Sequence, residues 1–165
     1  YPRSYQQYPG INFLFTVYRY VGYLRQGGRP EICLGNDVQY VMNCAAYTAV
    51  DKAEDYQELC DKLNHVAPGY LAAAAEACGA ALIQVSTDYV FDGTGHTPYT
   101  EEAATCPNSV YGFTKLAGEQ AVMKYCSRAM IIRTAWLYSI YGNNFVKTML
   151  VWDASARRWE LYSTR

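Results

Sequence analysis

The feature that most constrains the fold is the alternation of short apolar runs with longer helix-type stretches. Residues 38–46, 81–91 and 130–138 are apolar and rich in β-branched and aromatic side chains. Strands that alternate with helices of ten residues or more are typical of β-α-β units with parallel strands. Residues 38–46 are apolar at nearly every position, which favours a strand covered on both faces. The sequence therefore predicts an α/β fold with a Rossmann-like, doubly wound parallel sheet.

The remaining segments fit the same alternation. Residues 48–51 (TAVD) suggest a capped helix start, and Pro68 either divides the following helix or lies in the first turn of its second part. Gly79 is a suitable C-terminal stop. The other predicted elements are a strand at 11–16, helical segments at 51–78, 110–125 and from 144, and a Gly-, Thr- and Pro-rich loop at 92–107.

Composition and charge exclude several classes of function. The formal net charge is −1, so no basic surface is predicted to bind nucleic acid or an anionic membrane. No apolar run approaches the roughly 20 residues of a membrane span. The six cysteines form no C-x-x-C pair, which suits reduced thiols in the cytoplasm, and the two histidines lie too far apart to suggest a zinc site.

Three polar clusters fall at the carboxyl ends of the predicted strands, at residues 43–48, 86–88 and 134–138. Ligands of doubly wound sheets bind at the carboxyl ends of the strands. We therefore expect these clusters to meet at one edge of the sheet and to form the binding site there.

Tyr111 and Lys115 form a Y-x-x-x-K pattern, and positions four residues apart share one face of a helix. A fixed ammonium favours the phenolate, and lowering the pKa of a tyrosine to about 7 requires roughly 4 kcal/mol. Such a tyrosine can donate a proton to a ketone oxygen while hydride reaches the carbon. With 17 tyrosines in the chain, this pattern alone is weak evidence for a site.

The clusters at 86–88 and 43–48 each allow a functional and a structural interpretation. The hydroxyls of Ser86 and Thr87 can orient a substrate carbonyl, or they can cap the following helix. Ala45 and Ala46 leave room for a flat ligand near the backbone. Thr48 can bind a phosphate or ribose, although capping is the more common role of a threonine here.

Taken together and in this order, the clusters resemble the dTDP-4-dehydrorhamnose reductase family of the extended short-chain dehydrogenase/reductase superfamily. The combination of STDYVFDG with YGFTKLAGE carries most of the resemblance, because it is much more specific than Y-x-x-x-K. The resemblance covers roughly residues 33–150. Its matching stretches are residues 43–54, 86–101, 110–122 and 133–150.

The resemblance implies NADPH- or NADH-dependent reduction of the 4-keto group of dTDP-4-dehydro-6-deoxy-L-mannose to dTDP-L-rhamnose. Trp136 would contact the substrate, although a core aromatic is an equally good interpretation of this residue alone. The implied catalytic residues are Thr87, Tyr111 and Lys115. The implied cofactor contacts are Ala45, Ala46, Tyr47, Thr48, Val85, Tyr111 and Lys115, and the implied substrate contacts are Thr87, Asp88 and Trp136.

The chain departs from this family at both ends. It lacks the Gly-rich turn that binds the pyrophosphate, so residues 1–150 are expected to form a partial NAD(P)-binding Rossmann domain. Residues 151–165 look like a non-native tail. We hypothesise that residues 17–29 and 151–165 are read in a shifted frame, which the encoding DNA would test. A homodimer and Mg²⁺ binding are implied by the family, but no Mg²⁺ ligands are identifiable in this sequence.

Three rival interpretations remain open at this stage. The first is another sugar-nucleotide epimerase, reductase or dehydratase of the superfamily; Tyr89 argues against a dehydratase, which typically carries an acidic residue at this position. The second is a non-catalytic relative, such as the regulatory subunit of methionine adenosyltransferase. The third is an inactive fragment of the enzyme.

Overall fold

A parallel sheet lies at the centre of the computed structural model, which describes residues 35–155. The strands are β1 (Tyr40–Asn43), β2 (Ala81–Thr87) and β3 (Ala129–Thr134), in the order β1-β2-β3. Both neighbouring pairs are parallel. The predicted α/β class with a parallel sheet is therefore confirmed, while the predicted strand at 11–16 lies outside the described residues.

Each strand is shorter than its apolar run, and at β2 a local hydrogen bond ends the strand early. The hydroxyl of Thr87 accepts a hydrogen bond from the Tyr89 backbone N–H at 3.3 Å. This bond starts a 3₁₀ turn at Asp88–Val90 and ends β2 four residues before the predicted limit. The polar cluster at 86–88 thus lies at a strand end, as predicted.

The predicted helix at 51–78 consists of several pieces. Thr48 does not cap the first helix, since Ala49 occupies the cap position without a side-chain hydrogen bond. Pro68 lies in the first turn of its helix and Gly79 follows the helix end with a φ of +70°, as predicted. The helices are α1 (Val50–Ala53), α2 (Gln57–Asp61), a π-helical turn (Lys62–Val66), α3 (Ala67–Ala77), α4 (Val110–Tyr125) and α5 (Phe145–Ser155).

Helices α3 and α4 pack together against one face of the sheet. Leu82 of β2 and Val122 of α4, both fully buried, form one apolar cluster with Ala72 and Ala75 of α3. On the other face, Met42, Met130 and Ile132 are exposed in the part of the chain that the structure describes. We expected helices to cover both faces of the sheet. Within residues 35–155 they cover one face only.

No helix among the described residues is both long enough and apolar enough to span a membrane. The proposed frame change at 17–29 lies outside the described residues. The segment proposed at 151–165 is described as far as Ser155, where α5 ends. The frame-change hypothesis stays a prediction for both segments.

Helix α4 approaches the π-helical turn very closely at Gly118. A Cβ atom on Gly118 would overlap the backbone carbonyl oxygen of Asn64. Asn64 is itself almost fully buried in the π-helical turn. A residue without a side chain at position 118 therefore sets the distance between the two elements.

We predict that Gly118→Ala lowers the free energy of unfolding by roughly 1–3 kcal/mol, since backbone atoms must move to admit the methyl group. This loss exceeds the gain of up to about 1 kcal/mol from better helix propensity. Urea unfolding followed by circular dichroism measures the difference. Gly35→Ala is the control, because a Cβ there meets nothing within 4 Å. An unchanged or higher stability for Gly118→Ala would contradict the prediction.

Candidate active site

The first turn of α4 is fixed at the carboxyl end of β2. The Ser109 hydroxyl accepts a hydrogen bond from the Gly112 N–H at 3.1 Å, and Glu54 Oε1 accepts one from the Val110 N–H at 2.9 Å. A Cβ on Gly112 would overlap the Tyr89 carbonyl oxygen, so glycine permits the close approach of α4 to the 3₁₀ turn. Tyr111 is thereby held beside the end of β2.

Tyr111 is 8% exposed, and its ring packs edge-on against Tyr89 with centroids 5.4 Å apart. Burial raises the pKa of Tyr111, a hydrogen bond with the Thr87 side chain lowers it, and the Asp88 carboxylate adds to the increase. The net direction is upward, so the phenol keeps its proton at neutral pH. This direction is opposite to the lowering that the Y-x-x-x-K pattern predicts.

The Thr87 hydroxyl has competing partners at the strand end. It donates to Asp88 Oδ1 at 3.0 Å and also lies within hydrogen-bonding reach of Tyr111. A hydroxyl has one proton, so it donates to only one acceptor at a time. Thr87 therefore links the tyrosine and the aspartate in one polar group.

Lys115 lies one helical turn beyond Tyr111, but its ammonium points to the strand. It donates to the Val85 carbonyl oxygen at 2.7 Å, and the residue is 4% exposed. Burial lowers the pKa of Lys115, while the Glu119 carboxylate opposes this change. The bond to Val85 explains why Lys115 does not lower the pKa of Tyr111 in this state.

The loop after β1 is fastened to the same region by Asn64. Its side chain accepts from the Tyr47 N–H at 2.8 Å and donates to the Tyr47 carbonyl at 3.1 Å. The Tyr47 side chain packs against the cluster that contains Tyr111. Ala45 and Ala46 are half-buried and Thr48 is exposed.

Trp136 follows β3 and differs from the other predicted site residues. Its side chain is 72% exposed, its φ is +51°, and its ring makes an edge contact with Phe145 at 4.9 Å. The alternative interpretation of Trp136 as a buried core aromatic is therefore wrong for the described structure. Its predicted contact with substrate stays a prediction.

The structure brings most of the predicted residues to one sheet edge, and it adds residues that sequence reasoning missed. Asn64 clamps the loop at Tyr47, but nothing in the helix-type sequence around it signals this role. Glu119 belongs to the YGFTKLAGE motif, but the sequence does not indicate which residues it contacts. Within residues 35–155, no group of three or more His, Cys, Asp or Glu side chains is arranged to hold a metal ion.

The fold and the polar strand end define the chain as an α/β protein with a Rossmann-like parallel sheet. A family model described as "RmlD substrate binding domain" matches residues 29–162. This match covers most of the chain, and the chain belongs to that family. The dTDP-4-dehydrorhamnose reductase of Escherichia coli K12 is 51% identical over 122 residues, which are 74% of this chain and 38% of the relative.

Solved structures of the same named enzyme share the fold. A dTDP-4-dehydrorhamnose reductase from Clostridium acetobutylicum superimposes with a TM-score of 0.84 at 39% identity, over 93% of this chain and 54% of that chain. A dTDP-4-dehydrorhamnose reductase from Bacillus anthracis in complex with NADP gives a TM-score of 0.74 at 38% identity, over 77% of this chain and 45% of that chain. The chain thus spans well under two thirds of the length of these relatives.

We predict that the Tyr111 phenol titrates above the ordinary tyrosine value of about 10, because it is buried. Tyrosine ¹³Cζ NMR, assigned with Tyr111→Phe, reads the titration directly. Thr87→Val should move the Tyr111 titration to still higher pH, because it removes a hydroxyl that stabilises the phenolate. Thr87→Ser is the control, because it keeps a hydroxyl at this position. A Tyr111 titration below the ordinary value would refute the burial effect.

The same shift makes a prediction about stability. A raised folded-state pKa contributes stability that is complete below the unfolded-state pKa of about 10 and is lost as pH rises through the folded value. Above about pH 10, the unfolding free energy of the parent should therefore fall relative to that of Tyr111→Phe, which has no phenol to ionise. Urea unfolding at a series of pH values measures it, and a constant difference would contradict it.

We predict that Asn64→Leu destabilises the chain by about 1–3 kcal/mol or more, because the Tyr47 N–H and carbonyl lose their partner. Urea unfolding measures the loss. Gln57→Leu is the control, since its amide makes one exposed hydrogen bond. Equal stability of the two variants would show that the clamp contributes nothing.

Proposed function

We propose that this chain is the catalytic part of an NAD(P)H-dependent reductase acting on a dTDP-4-keto-6-deoxy sugar. The specific reaction proposed is reduction of dTDP-4-dehydro-6-deoxy-L-mannose to dTDP-L-rhamnose. The observation that carries the proposal is the proximity of the Tyr111 and Thr87 side chains at the end of β2, with Lys115 one turn further along the helix and bonded to the Val85 carbonyl oxygen. The names of the relatives agree with this reaction.

Tyr111 is proposed as the proton donor to the ketone oxygen. Its raised pKa ensures that the phenol is protonated when a substrate arrives. Proton donation leaves a buried phenolate, which needs a hydrogen-bond donor nearby. Thr87 can supply it by turning its hydroxyl from Asp88 to the phenolate, or it can orient the substrate carbonyl in the same way.

Lys115 is proposed to stabilise the developing charge and to bind the nicotinamide ribose. An ammonium has three N–H donors, so the bond to the Val85 carbonyl leaves others for a ligand. Its charge also favours the phenolate form of Tyr111 if the side chain turns toward it. We therefore propose that Lys115 and Val85, which share a hydrogen bond, contribute together to the cofactor site.

The residues present fit a nicotinamide cofactor along the loop after β1. Ala45 and Ala46 leave the backbone open to a flat group, and Asn64 fixes the course of the loop at Tyr47. Bound NADPH or NADH would supply the hydride. The complex of the Bacillus anthracis relative with NADP favours this class of cofactor.

Asp88 and Trp136 are proposed to contact the sugar nucleotide. Asp88 lies next to Thr87, its carboxylate accepts a hydrogen bond from the Thr87 hydroxyl, and its charge raises the pKa of Tyr111. Trp136 exposes a large aromatic face, which suits stacking with a base or a sugar. A homodimer and a cytoplasmic location complete the proposal by analogy with the family, and no residues among 35–155 are assigned to Mg²⁺.

We predict that Tyr111→Phe lowers kcat/KM for this reduction by about 10²–10⁴-fold, because the proton donor is lost. Lys115→Met should lose activity as well. NADPH absorbance with dTDP-4-dehydro-6-deoxy-L-mannose as substrate measures both. Tyr125→Phe and Lys124→Met are matched controls. They are the same two substitutions, made at exposed residues at the other end of α4, away from the site.

Two outcomes would contradict the proposal. If Tyr111→Phe were as active as Tyr125→Phe, Tyr111 would not be the proton donor. If the folded parent chain bound neither NADPH nor NADH and did not reduce the sugar, it would be an inactive fragment or a non-catalytic relative. Reduction of a different dTDP-4-keto sugar alone would keep the chemistry and reject the named substrate.

A further inference from the structure

A buried carboxylate joins three elements directly behind the candidate active site. Glu119 is 4% exposed and accepts a hydrogen bond from the Ser86 hydroxyl at 2.5 Å. Arg133 binds the same carboxylate through two nitrogens, with Nε 3.1 and 3.2 Å from its oxygens and Nη2 at 2.7 Å. The forked geometry fixes direction as well as distance.

The partners of Glu119 are the sequence neighbours of the site residues. Ser86 lies between Val85, which receives the Lys115 bond, and Thr87. Glu119 itself lies one helical turn beyond Lys115 on the same face of α4. The strand that carries Thr87 and the helix that carries Lys115 are thus tied together at Glu119.

Strand β3 completes the arrangement. Arg133 comes from β3, and its guanidinium also lies 5.1 Å from the centre of the Phe91 ring. The next residue, Thr134, donates from its hydroxyl to the Ser86 carbonyl at 3.1 Å. The carboxyl ends of β2 and β3 are therefore held to each other and to α4 by a buried polar network.

We propose that Glu119 is a positioning residue of the candidate active site, which holds the end of β2 and the Lys115 turn of α4 in fixed register through Ser86 and Arg133. This inference rests on the proposed function for its catalytic consequence. Its geometric part concerns only residues that the structure describes. Glu119 acts through Lys115 and Thr87 and is not expected to touch the substrate.

Charge gives the proposal a readout that a purely structural role would lack. Burial lowers the pKa of Lys115, and the Glu119 carboxylate raises it. The other groups that face this region are Cys60 of α2, Arg133 of β3 and, at the end of β2, Asp88 beside Tyr111. Removing the Glu119 charge should therefore favour the neutral amine of Lys115.

The test is Glu119→Gln, which keeps the size of the side chain and removes its charge. The Lys115 ammonium is followed by ¹³Cε NMR, with its signal assigned by its loss in Lys115→Met. We expect its titration to move to lower pH in Glu119→Gln. We also expect kcat to fall roughly ten- to a hundredfold through misplacement, with KM for NADPH changing much less.

Two further variants keep the test decisive. Glu76→Gln is the matched control, because Glu76 also accepts from a serine hydroxyl, at Ser127, but lies on the exposed side of α3. If Glu119→Gln does not fold, Glu119→Gln/Arg133→Met removes both charges of the pair and is measured instead. The Lys115 titration should still move to lower pH in this double variant, but by less than in Glu119→Gln, because loss of the Arg133 cation opposes the loss of the Glu119 carboxylate that raises the pKa of Lys115.

The outcomes separate this inference from the proposed function. If the Lys115 titration and kcat of the folded variants equal those of the parent, Glu119 is not a positioning residue. If the titration moves but the parent chain reduces no sugar, the arrangement around Glu119 is supported and the proposed function fails. A loss of stability with an unmoved titration assigns Glu119 a structural role only and overturns the inference.

Discussion

The candidate site depends on the close approach of the first turn of α4 to the end of β2. A side chain at position 112 would collide with the backbone of the 3₁₀ turn, so glycine is required there. Ser109 and Glu54 then satisfy backbone N–H groups that a helix start leaves without partners. Once this turn is fixed, helical geometry alone places Tyr111 beside Thr87 and directs Lys115 toward the strand.

The chain places many polar groups in this buried region, and each needs a partner because an unpaired one costs free energy. Asn43 donates to Gln84 at 2.8 Å, and Gln84 in turn donates to the Val85 carbonyl that also receives Lys115. Among residues 35–155, every buried side-chain nitrogen or oxygen has a hydrogen-bond partner. The strand ends are therefore held in one arrangement by polar contacts, whereas the apolar cluster at Leu82 and Val122 supports the opposite half of the sheet.

The electrostatics of the site follow from this burial. Tyr111 and Lys115 are both pushed toward their neutral forms, in opposite pH directions, by removal from water. A sequence pattern indicates that a phenol and an ammonium share a helix face, but it contains no information on how deeply either is buried. For this reason, the sequence predicted a lowered tyrosine pKa and the structure gives a raised one.

The sequence alone determined the α/β class, the helix at 110–125, the loop at 92–107 and the position of residues 86–88 at the end of a strand, whereas the grouping of Thr87 with Tyr111 and Lys115 came from the family resemblance. Periodicity, glycine and proline carry that information locally, and parallel connections bring strand ends to one edge. Only the tertiary structure decided where β2 stops, that Lys115 binds the Val85 carbonyl, and that Asn64 and Glu119 hold the site together. The contacts of Lys115, Asn64 and Glu119 are hydrogen bonds between residues 14 to 33 positions apart, and no local sequence pattern specifies such contacts. The end of β2 depends instead on the short-range bond from the Tyr89 N–H to the Thr87 hydroxyl, which the strand-type sequence of residues 81–91 does not reveal.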